Sequence, residues 1–287
     1  MFKVGDIEVY LFNDATAYMD PGGLFGLVPR ALWSRRYRAD ERRLIKTATH
    51  NLLIRAAGLN IIVDTGFGNS LTDSQRRFLH IENADGTHKG LNALGIAADA
   101  IDIVIDTHLH DDHCTGNFRL ADDGSRAPAF PKAEYIVQRR EYEDAINLNE
   151  RTRATYRPDN YVPLYESGQL RLLDGDSEIA PGVSALVTPG HTPGHMSVRI
   201  ESASESAAFL CDMASLAVHF ERLAWMSAFD VEPLITLETK RRWQRWALGT
   251  KALLIFPHDA ITPAGRLTLD ERDRPFVTPE KIVFDNP

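Results

Sequence analysis

The sequence has few of the features that mark several large classes of protein. Its 287 residues include only two cysteines, Cys114 and Cys211, too few for a disulfide framework. No stretch approaches the roughly 18 consecutive apolar residues that a membrane-spanning helix needs. The opening segment MFKVGDIEVYLF has neither the apolar run nor the small-residue cleavage site of a secretory signal. These absences predict a cytoplasmic protein with no membrane partner.

The charge has the wrong sign for a general nucleic-acid binder. The formal net charge is −8, from 40 acidic and 32 basic residues, whereas binding to polyphosphate requires a basic surface. Hydrophobic residues make up 44% of the chain and charged residues 25%, as is typical of a globular protein with a sizeable core. We therefore expect a small-molecule substrate and no nucleic-acid partner. A homodimer is the default oligomeric state, because two-fold homo-oligomers are common.

The residue pattern predicts strands first and a mixture of strands and helices later. Apolar and polar residues alternate over 3–12, which is typical of a half-buried strand. The segment 51–64 indicates a β-hairpin, and the β-branched run at 102–107 indicates a buried strand. Helices are predicted over 139–153 and 234–248. Because strands and helices do not alternate strictly, the pattern favours a layered α/β sandwich over a doubly wound sheet.

The string DTHLHDDHCTGN follows the predicted buried strand directly. It places four candidate ligands just after that strand: His108, His110, Asp112 and His113. Residues two apart on a strand point to one side, so His108 and His110 can share one ion. Beyond the turn, Asp112 and His113 can face a second ion. Imidazole and carboxylate suit zinc, manganese or iron(II), and a buried aspartate is costly unless it is paired or metal-bound. The string therefore predicts a metal site.

Further groups of the same type stand at the ends of later predicted strands. The segment TPGHTPGH ends at His195 and follows an apolar run, and its glycines and prolines form a turn that can aim a side chain. Asp212 ends the strand in AFLCDMAS, and His258 ends the strand in LLIFPHD. Loops at strand ends commonly carry functional residues on a rigid scaffold. These three residues complete the predicted set of ligands.

Taken in order, these motifs resemble those of the metallo-β-lactamase superfamily of metallohydrolases. The resemblance runs from VDTG at 63–66, through the HxHxDH string at 108–113 and the GH at 194–195, to Asp212 and His258. It implies one domain over the whole 287-residue chain, folded as a four-layer αββα sandwich of mixed α/β class. It also implies two bound divalent metal ions, with Zn²⁺ first and Mn²⁺ or Fe²⁺ as alternatives.

The resemblance also implies a role for each matching residue. The first ion would be bound by His108, His110 and His195, and the second by Asp112, His113 and His258. Asp212 would bridge the two ions. His191 and Asp64 match family residues that are not ligands. We expect Asp64 to orient a ligand through a hydrogen bond, and His191 either to support a ligand or to stabilise the turn.

This set of groups predicts hydrolysis by a metal-bridging hydroxide. Two divalent ions bring four positive charges, and Asp112 with Asp212 return two negative ones. With a bridging hydroxide, the site keeps a net positive charge and attracts an electron-rich oxygen. The ions lower the pKa of bound water to about 7, which supplies a nucleophile at neutral pH. We expect Asp112 and Asp212 to be the catalytic carboxylates, with Asp112 able to pass a proton to the leaving group.

Two segments mix aromatic, apolar and glycine residues as the wall of a substrate pocket would. The segments 19–33 and 224–243 resemble a branch of the superfamily that contains lactonases and organophosphate hydrolases. The residues predicted to line a mostly apolar pocket are Leu24, Phe25, Ser215, Trp225, Met226 and Phe229. Ser215 departs from the pattern of acyl-homoserine-lactone hydrolases, which commonly carry a tyrosine three residues after the bridging aspartate. A serine hydroxyl reaches the same substrate oxygen only through a water or in a shifted pose.

Several reactions remain open at this stage. A lactone or carboxylic ester is the leading substrate, and a phosphotriester (organophosphate) or phosphodiester is the alternative on the same metals. A thioester is the third choice. A non-hydrolytic module of another class, either a di-iron oxygen-binding site or a metal-binding scaffold, is disfavoured because the string lacks a clear glutamate and the chain has no room for a flavin domain. One fold hosts many chemistries, so the motifs alone do not choose among the substrates.

Overall fold

Two seven-stranded β-sheets dominate the protein. The computed structural model describes residues 1–121, 123–282 and 284. In chain order, the strands of the first half are β1 (Phe2–Val4), β2 (Ile7–Met19), β3 (Ile45–Ala56), β4 (Leu59–Val63), β5 (Ile103–Ile105), β6 (Phe118–Leu120), β7 (Arg126–Pro128), β8 (Glu134–Gln138) and β9 (Leu170–Leu173). The first sheet has the order β1-β2-β3-β4-β5-β8-β9, and β6 pairs with β7 in a separate hairpin.

The second sheet takes its strands from the second half, in chain order. They are β10 (Ser177–Ala180), β11 (Val183–Val187), β12 (Met196–Ser202), β13 (Glu205–Phe209), β14 (Leu253–Ile255), β15 (Ala264–Leu269) and β16 (Pro275–Pro279). Strand β13 is parallel to β14, and in the first sheet β4, β5, β8 and β9 are parallel to one another. Parallel strands bring their carboxyl ends to the same edge, so the loops that follow them can share one site.

Short helices connect these strands, and one long helix covers the second sheet. They are α1 (Pro21–Phe25), α2 (Arg30–Trp33), α3 (Asp73–Phe78), α4 (Gly86–Ala93), α5 (Asp111–Cys114), α6 (Arg139–Ile146), α7 (Val162–Glu166), α8 (Ala217–Glu221) and α9 (Pro233–Thr250). Short 3₁₀ turns span 98–100, 115–117, 158–160 and 211–214. Within the described residues, no helix is both long and apolar enough to cross a bilayer.

Three apolar layers separate the sheets and the helices. Between the sheets, side chains such as Leu52 of β3 and Phe209 of β13 pack into one fully buried cluster. Helices α4, α6 and α7 cover the outer face of the first sheet around Tyr135, and α9 covers the outer face of the second sheet through Trp243. The order of layers is helix, sheet, sheet, helix. The predicted four-layer αββα sandwich is therefore confirmed.

Candidate metal centre

The loop after β5 carries the first group of metal-binding side chains. His110 precedes α5, whose single turn brings Asp112 and His113 back toward the end of the strand. Asp64, which follows β4, accepts hydrogen bonds from the backbone N–H of Thr107 (2.8 Å) and from its hydroxyl (2.9 Å). These bonds hold the loop against the neighbouring strand. Local hydrogen bonding and the strand end thus fix the direction of each side chain.

Three histidines bring their ring nitrogens together at the first part of the site. His110 Nδ1 lies 3.1 Å from His108 Nε2 and 3.1 Å from His191 Nε2. All three rings are nearly inaccessible to solvent. Burial and the neighbouring histidines hold the pKa of His108 and of His110 well below the usual value, so these imidazoles are neutral and have a lone pair to offer. This arrangement suits a borderline divalent ion.

The structure differs from the prediction that His195 is a ligand and that His191 is not. Both ring nitrogens of His195 are engaged within the protein, since Nε2 accepts from the backbone N–H of Asp212 (3.0 Å) and Nδ1 lies 2.8 Å from the Thr188 hydroxyl. Burial lowers the pKa of His195 to about 3, consistent with a neutral ring. His195 therefore has no nitrogen left for an ion, and His191 takes its place among the converging groups.

A second group of donors lies beside the first. His113 Nε2 is 3.2 Å from His258 Nε2, and Asp112 Oδ2 is 3.4 Å from the same His258 nitrogen. Both histidines are buried, while the Asp112 side chain is 27% exposed toward a cavity. The structure brings these three residues together.

Asp212 lies between the two groups. One carboxylate oxygen is 3.3 Å from His191 Nε2, and the other is 3.1 Å from His258 Nε2. Burial would raise the pKa of Asp212, but the charges of His258 and His191 hold it well below its usual value. Asp212 thus has the position expected of a bridging ligand.

Hydrogen bonds behind the rings orient three of the histidines. Each such ring has its Nδ1 atom close to an acceptor, which leaves Nε2 directed into the site. The pairs are His113 with Asp64 (2.8 Å), His191 with Asp230 (2.9 Å) and His258 with the carbonyl of Ala48 (2.9 Å). The predicted orienting role is consistent with the position of Asp64. Asp230 was not predicted, because it lies in the segment 224–243, whose aromatic and apolar residues indicated a pocket wall and not a carboxylate that orients a ligand.

The thiol of Cys211 packs on the far side of these rings. Its Sγ lies 2.8 Å from the Thr107 hydroxyl and 3.4 Å from Asp64 Oδ2. The nearest imidazole nitrogens are the outer ones, His113 Nδ1 at 3.6 Å and His108 Nδ1 at 3.9 Å. Because Asp64 already engages His113 Nδ1, Cys211 supports the ligands and does not form a third ion site.

The donor atoms fit a bound cation by their own chemistry. Nδ1 of His258 carries a proton that it donates to the Ala48 carbonyl. When the ring is neutral, as a metal ligand must be, Nε2 therefore presents a lone pair to the Asp212 oxygen 3.1 Å away. That buried oxygen, Oδ1, accepts no hydrogen bond within the described residues. Buried polar atoms rarely remain unpaired, and two facing lone pairs repel. A cation between them would relieve both problems.

A cavity of about 240 Å³ opens above these groups. Its floor consists of His110, Asp111, Asp112, His191, Asp212 and His258. Its wall is mainly apolar and is formed by Ala17, Met19, Leu24, Phe67, Leu79, Ala154 and Phe229, with hydroxyls from Thr47, Thr49, Thr155, Ser215 and Ser227. No lysine or arginine lines this cavity among the residues that the structure describes.

Only half of the residues predicted for the pocket line the cavity. Leu24, Ser215 and Phe229 do so. Phe25, Trp225 and Met226 do not, so the prediction for these three is wrong. Phe25 is fully buried, stacked on Trp33 at 5.5 Å between ring centroids and edge-on to Trp225 at 6.0 Å. Adjacent residues of α1 point in different directions, so Leu24 faces the cavity while Phe25 packs into the cluster behind it.

The chain is similar to several known proteins. Residues 46–219 match the metallo-beta-lactamase superfamily model. An N-acyl homoserine lactonase, AiiA, from Bacillus thuringiensis subsp. kurstaki is 30% identical over 211 residues, which are 69% of this chain and 76% of the relative. A crystal structure of a probable metal-dependent hydrolase from Staphylococcus aureus superposes with a TM-score of 0.88 at 30% identity, covering 98% of this chain and all of the other. AidC, a dizinc quorum-quenching lactonase, superposes with a TM-score of 0.79 at 21% identity, covering 98% of this chain and 97% of its own.

Proposed function

Because the chain belongs to the metallo-β-lactamase superfamily and is a metal-dependent hydrolase, we propose that it hydrolyses a neutral lactone or carboxylic ester at a two-metal site. The observation that supports this most directly is the position of Asp212 between two groups of donors on the floor of an apolar cavity. The similarity to N-acyl homoserine lactonases supports a lactone as the first choice.

We assign the ligands from the geometry of the side chains. His108, His110 and His191 would hold one ion, Asp112, His113 and His258 the other, and Asp212 would contact both. Five imidazoles and two carboxylates are donors that suit Zn²⁺, with Mn²⁺ and Fe²⁺ as alternatives.

The bound ions would supply a hydroxide near neutral pH and polarise the substrate carbonyl. The protein supplies orientation and a place for the proton. Asp212 and the three hydrogen-bonded imidazoles hold their donor atoms in fixed directions. The Asp112 carboxylate is open to the cavity, where it can carry a proton to the leaving oxygen. The apolar wall excludes water and packs against the acyl part of the substrate.

The charges in the cavity favour a neutral substrate. The floor carries the carboxylates of Asp111, Asp112 and Asp212, and no cationic side chain is present among the described lining residues. A phosphodiester, or a thioester that bears carboxylates, would have only the metal ions to balance its negative charge, because the described wall has no cationic side chain. A phosphotriester is neutral, so it is the second candidate. Ser215 occupies the position where acyl-homoserine-lactone hydrolases commonly carry tyrosine, and it argues for a lactone that does not depend on a phenol.

The test combines metal content with a panel of substrates. We expect about two ions per chain, loss of activity on chelation and recovery with zinc or manganese. Lactones and aryl esters should be cleaved faster than phosphotriesters, and phosphodiesters should be cleaved least. The variant Asp212→Ala should lose both ions and the activity together. Full activity without metal would refute the two-metal site, and a preference for phosphodiesters would refute the neutral substrate.

A further inference from the structure

A buried carboxylate from α6 stands behind the three-histidine group formed by His108, His110 and His191. Glu141 is fully buried and belongs to neither donor group. Its Oε1 atom accepts hydrogen bonds from the backbone N–H of Leu109 (3.0 Å) and from the hydroxyl of Tyr156 (2.9 Å). Its Oε2 atom accepts from the hydroxyl of Thr192. One side chain therefore joins three separate segments of the chain.

Each of these three partners is next to a residue of the three-histidine group. Leu109 lies between His108 and His110, and Thr192 follows His191 directly. The ring of Tyr156 packs against the ring of His110, with 4.8 Å between their centroids. Glu141 thus links the loop after β5 in the first sheet with the loop between β11 and β12 in the second. The group needs both loops, because its histidines come from both.

The packing around Glu141 shows that this contact is close. A Cβ atom at Gly194 would lie only 2.3 Å from the backbone nitrogen of Glu141, so the loop that carries His191 can approach α6 only with glycine at that position. All three hydrogen-bonding partners donate, as an ionised carboxylate requires. Burial raises the pKa of Glu141, while its bonds to Thr192, Leu109 and Tyr156 oppose that effect.

We propose that Glu141 is a positioning residue that holds the two loops together so that His108, His110 and His191 converge on one ion. The inference rests on the two-metal assignment of the proposed function. The other donor group is held differently, because Asp64 orients His113 and the carbonyl of Ala48 orients His258. Loss of Glu141 should therefore weaken one ion site and spare the other.

The experiment measures zinc affinity in two backgrounds that each leave one donor group intact. His258→Ala keeps the three-histidine group, and His191→Ala keeps the group of Asp112, His113 and His258. Glu141→Ala is added to each background, and zinc binding to the metal-free protein is measured by competition with a chromophoric chelator. In the His258→Ala background, we expect the zinc affinity to fall about 10- to 100-fold, as is typical when a residue that orients ligands is lost. In the His191→Ala background, we expect it to fall less than about threefold.

Two milder variants provide matched controls. Glu141→Gln keeps an oxygen for Leu109 and Tyr156 and an amide that can donate to the Thr192 hydroxyl, so it should recover most of the affinity. Tyr156→Phe removes one of the three hydrogen bonds and should have an intermediate effect. An equal loss in both backgrounds would indicate general loosening and would overturn the inference, as would no loss in either. If His258→Ala by itself binds no zinc, the two-metal assignment fails instead.

Discussion

The floor and the wall of the cavity are built in different ways. The floor residues follow the ends of strands β5, β11, β13 and β14, are mostly buried, and are held by hydrogen bonds to their outer atoms. The wall is mainly apolar and comes partly from β2, β3 and α1 and partly from connecting segments, with Phe229 still 39% exposed. Rigid strand ends suit groups that must keep fixed distances, whereas connecting segments can vary with the substrate. We therefore expect changes in the floor to remove the reaction and changes in the wall to alter its selectivity.

The wall also has buried support behind it. Lys240 of α9 is buried and donates to the backbone carbonyls of Trp225 (2.7 Å) and His219 (3.1 Å). The hydroxyl of Tyr37 donates to Asp259 (2.8 Å), which joins the segment after α2 to the loop that carries His258. The Lys240 bonds hold the segment around Trp225, and the ring of Tyr37 also packs against Phe25 of α1, with 5.4 Å between ring centroids. The wall is thus anchored from behind, and its cavity face is free to change.

The largest effect on metal content and activity should appear when the two histidines of the HTPGH turn, His191 and His195, are replaced one at a time. His191→Ala removes a donor from the floor, and we expect about one ion to remain. The accompanying loss in kcat/KM should exceed the roughly 100-fold that loss of an orienting residue causes. His195→Ala removes no side chain from the floor and takes away only the hydrogen bonds to the Asp212 backbone and the Thr188 hydroxyl. It should keep about two ions, with affinity lowered within about 10- to 100-fold. Metal analysis and kinetics on the two variants check this.

The opposite result for this pair would restore the assignment drawn from the sequence. If His195→Ala lost an ion and His191→Ala kept two, the hydrogen bonds of His195 could not describe the metal-loaded protein. The variant Thr188→Val provides a control, because it removes the hydroxyl that lies 2.8 Å from His195 Nδ1 without touching the floor. Thr188→Val should lower the metal affinity as His195→Ala does, but by a smaller factor.

This pair also shows where prediction from sequence ends. The string at 106–117 and the polar residues at later strand ends predicted most of the floor, because strand spacing and residue chemistry are local properties. Which histidine of the turn faces inward depends on tertiary packing. Gly190 has a φ of 136°, and a Cβ there would lie 2.3 Å from the Thr236 hydroxyl, so α9 decides how the turn is oriented. No local pattern carries that information.

The wall and the element bounds were harder to predict for related reasons. Met19 reaches the cavity because β2 continues to that residue, well past the strand predicted over 3–12. Phe67 and Leu79 come from connecting segments with no motif. Helix α6 ends at Ile146 and not near 153, because the Asn147 side chain donates to the Glu143 carbonyl that a longer helix would have used (2.7 Å). A single side-chain hydrogen bond of this kind can end a helix even where the following residues favour helix formation.

A smaller effect should come from the wall. Phe229→Ala removes an aromatic contact, and because that ring is 39% exposed, the loss should be about 1 kcal/mol, or about a fivefold rise in KM. The value of kcat should stay nearly unchanged, since the contact holds the substrate equally before and during the reaction. Steady-state kinetics with a series of esters of increasing acyl length would measure it.

Met226→Ala is the matched control for Phe229→Ala, because Met226 lies in the same segment and does not line the cavity. Its KM should stay within about twofold of the original value for every acyl length. A large fall in kcat for Phe229→Ala would mean that the wall takes part in the chemistry, and the distinction between floor and wall would fail.

The smallest effect should come from a buried histidine that supports the wall. His219 packs edge-on against Phe25, with 5.7 Å between ring centroids, and its Nε2 atom has no hydrogen-bond partner among the described residues. Burial, and then the neighbouring Lys240 ammonium, lower the pKa of His219 to about 3. In the unfolded chain a histidine titrates at about 6.5, so the folded state keeps its full stability from this group above that pH. As the pH falls from about 6.5 toward 3, only the unfolded chain takes up the proton, and the free energy of unfolding declines by up to about 1.4 kcal/mol per pH unit.

His219→Phe and His219→Gln should both remove this decline, because neither replacement titrates. Urea unfolding of metal-free protein at about pH 7.5 and about pH 5.5 measures the free energy of unfolding of each variant relative to the original chain. When the pH is lowered from about 7.5 to about 5.5, each variant should become more stable relative to the original chain by roughly 1 kcal/mol. The two variants should differ in stability at about pH 7.5, since their packing against Phe25 differs, yet share the same change with pH. If neither variant changed the pH dependence, His219 would have to become protonated while folded, and the support behind the wall would be less tightly packed than the structure indicates.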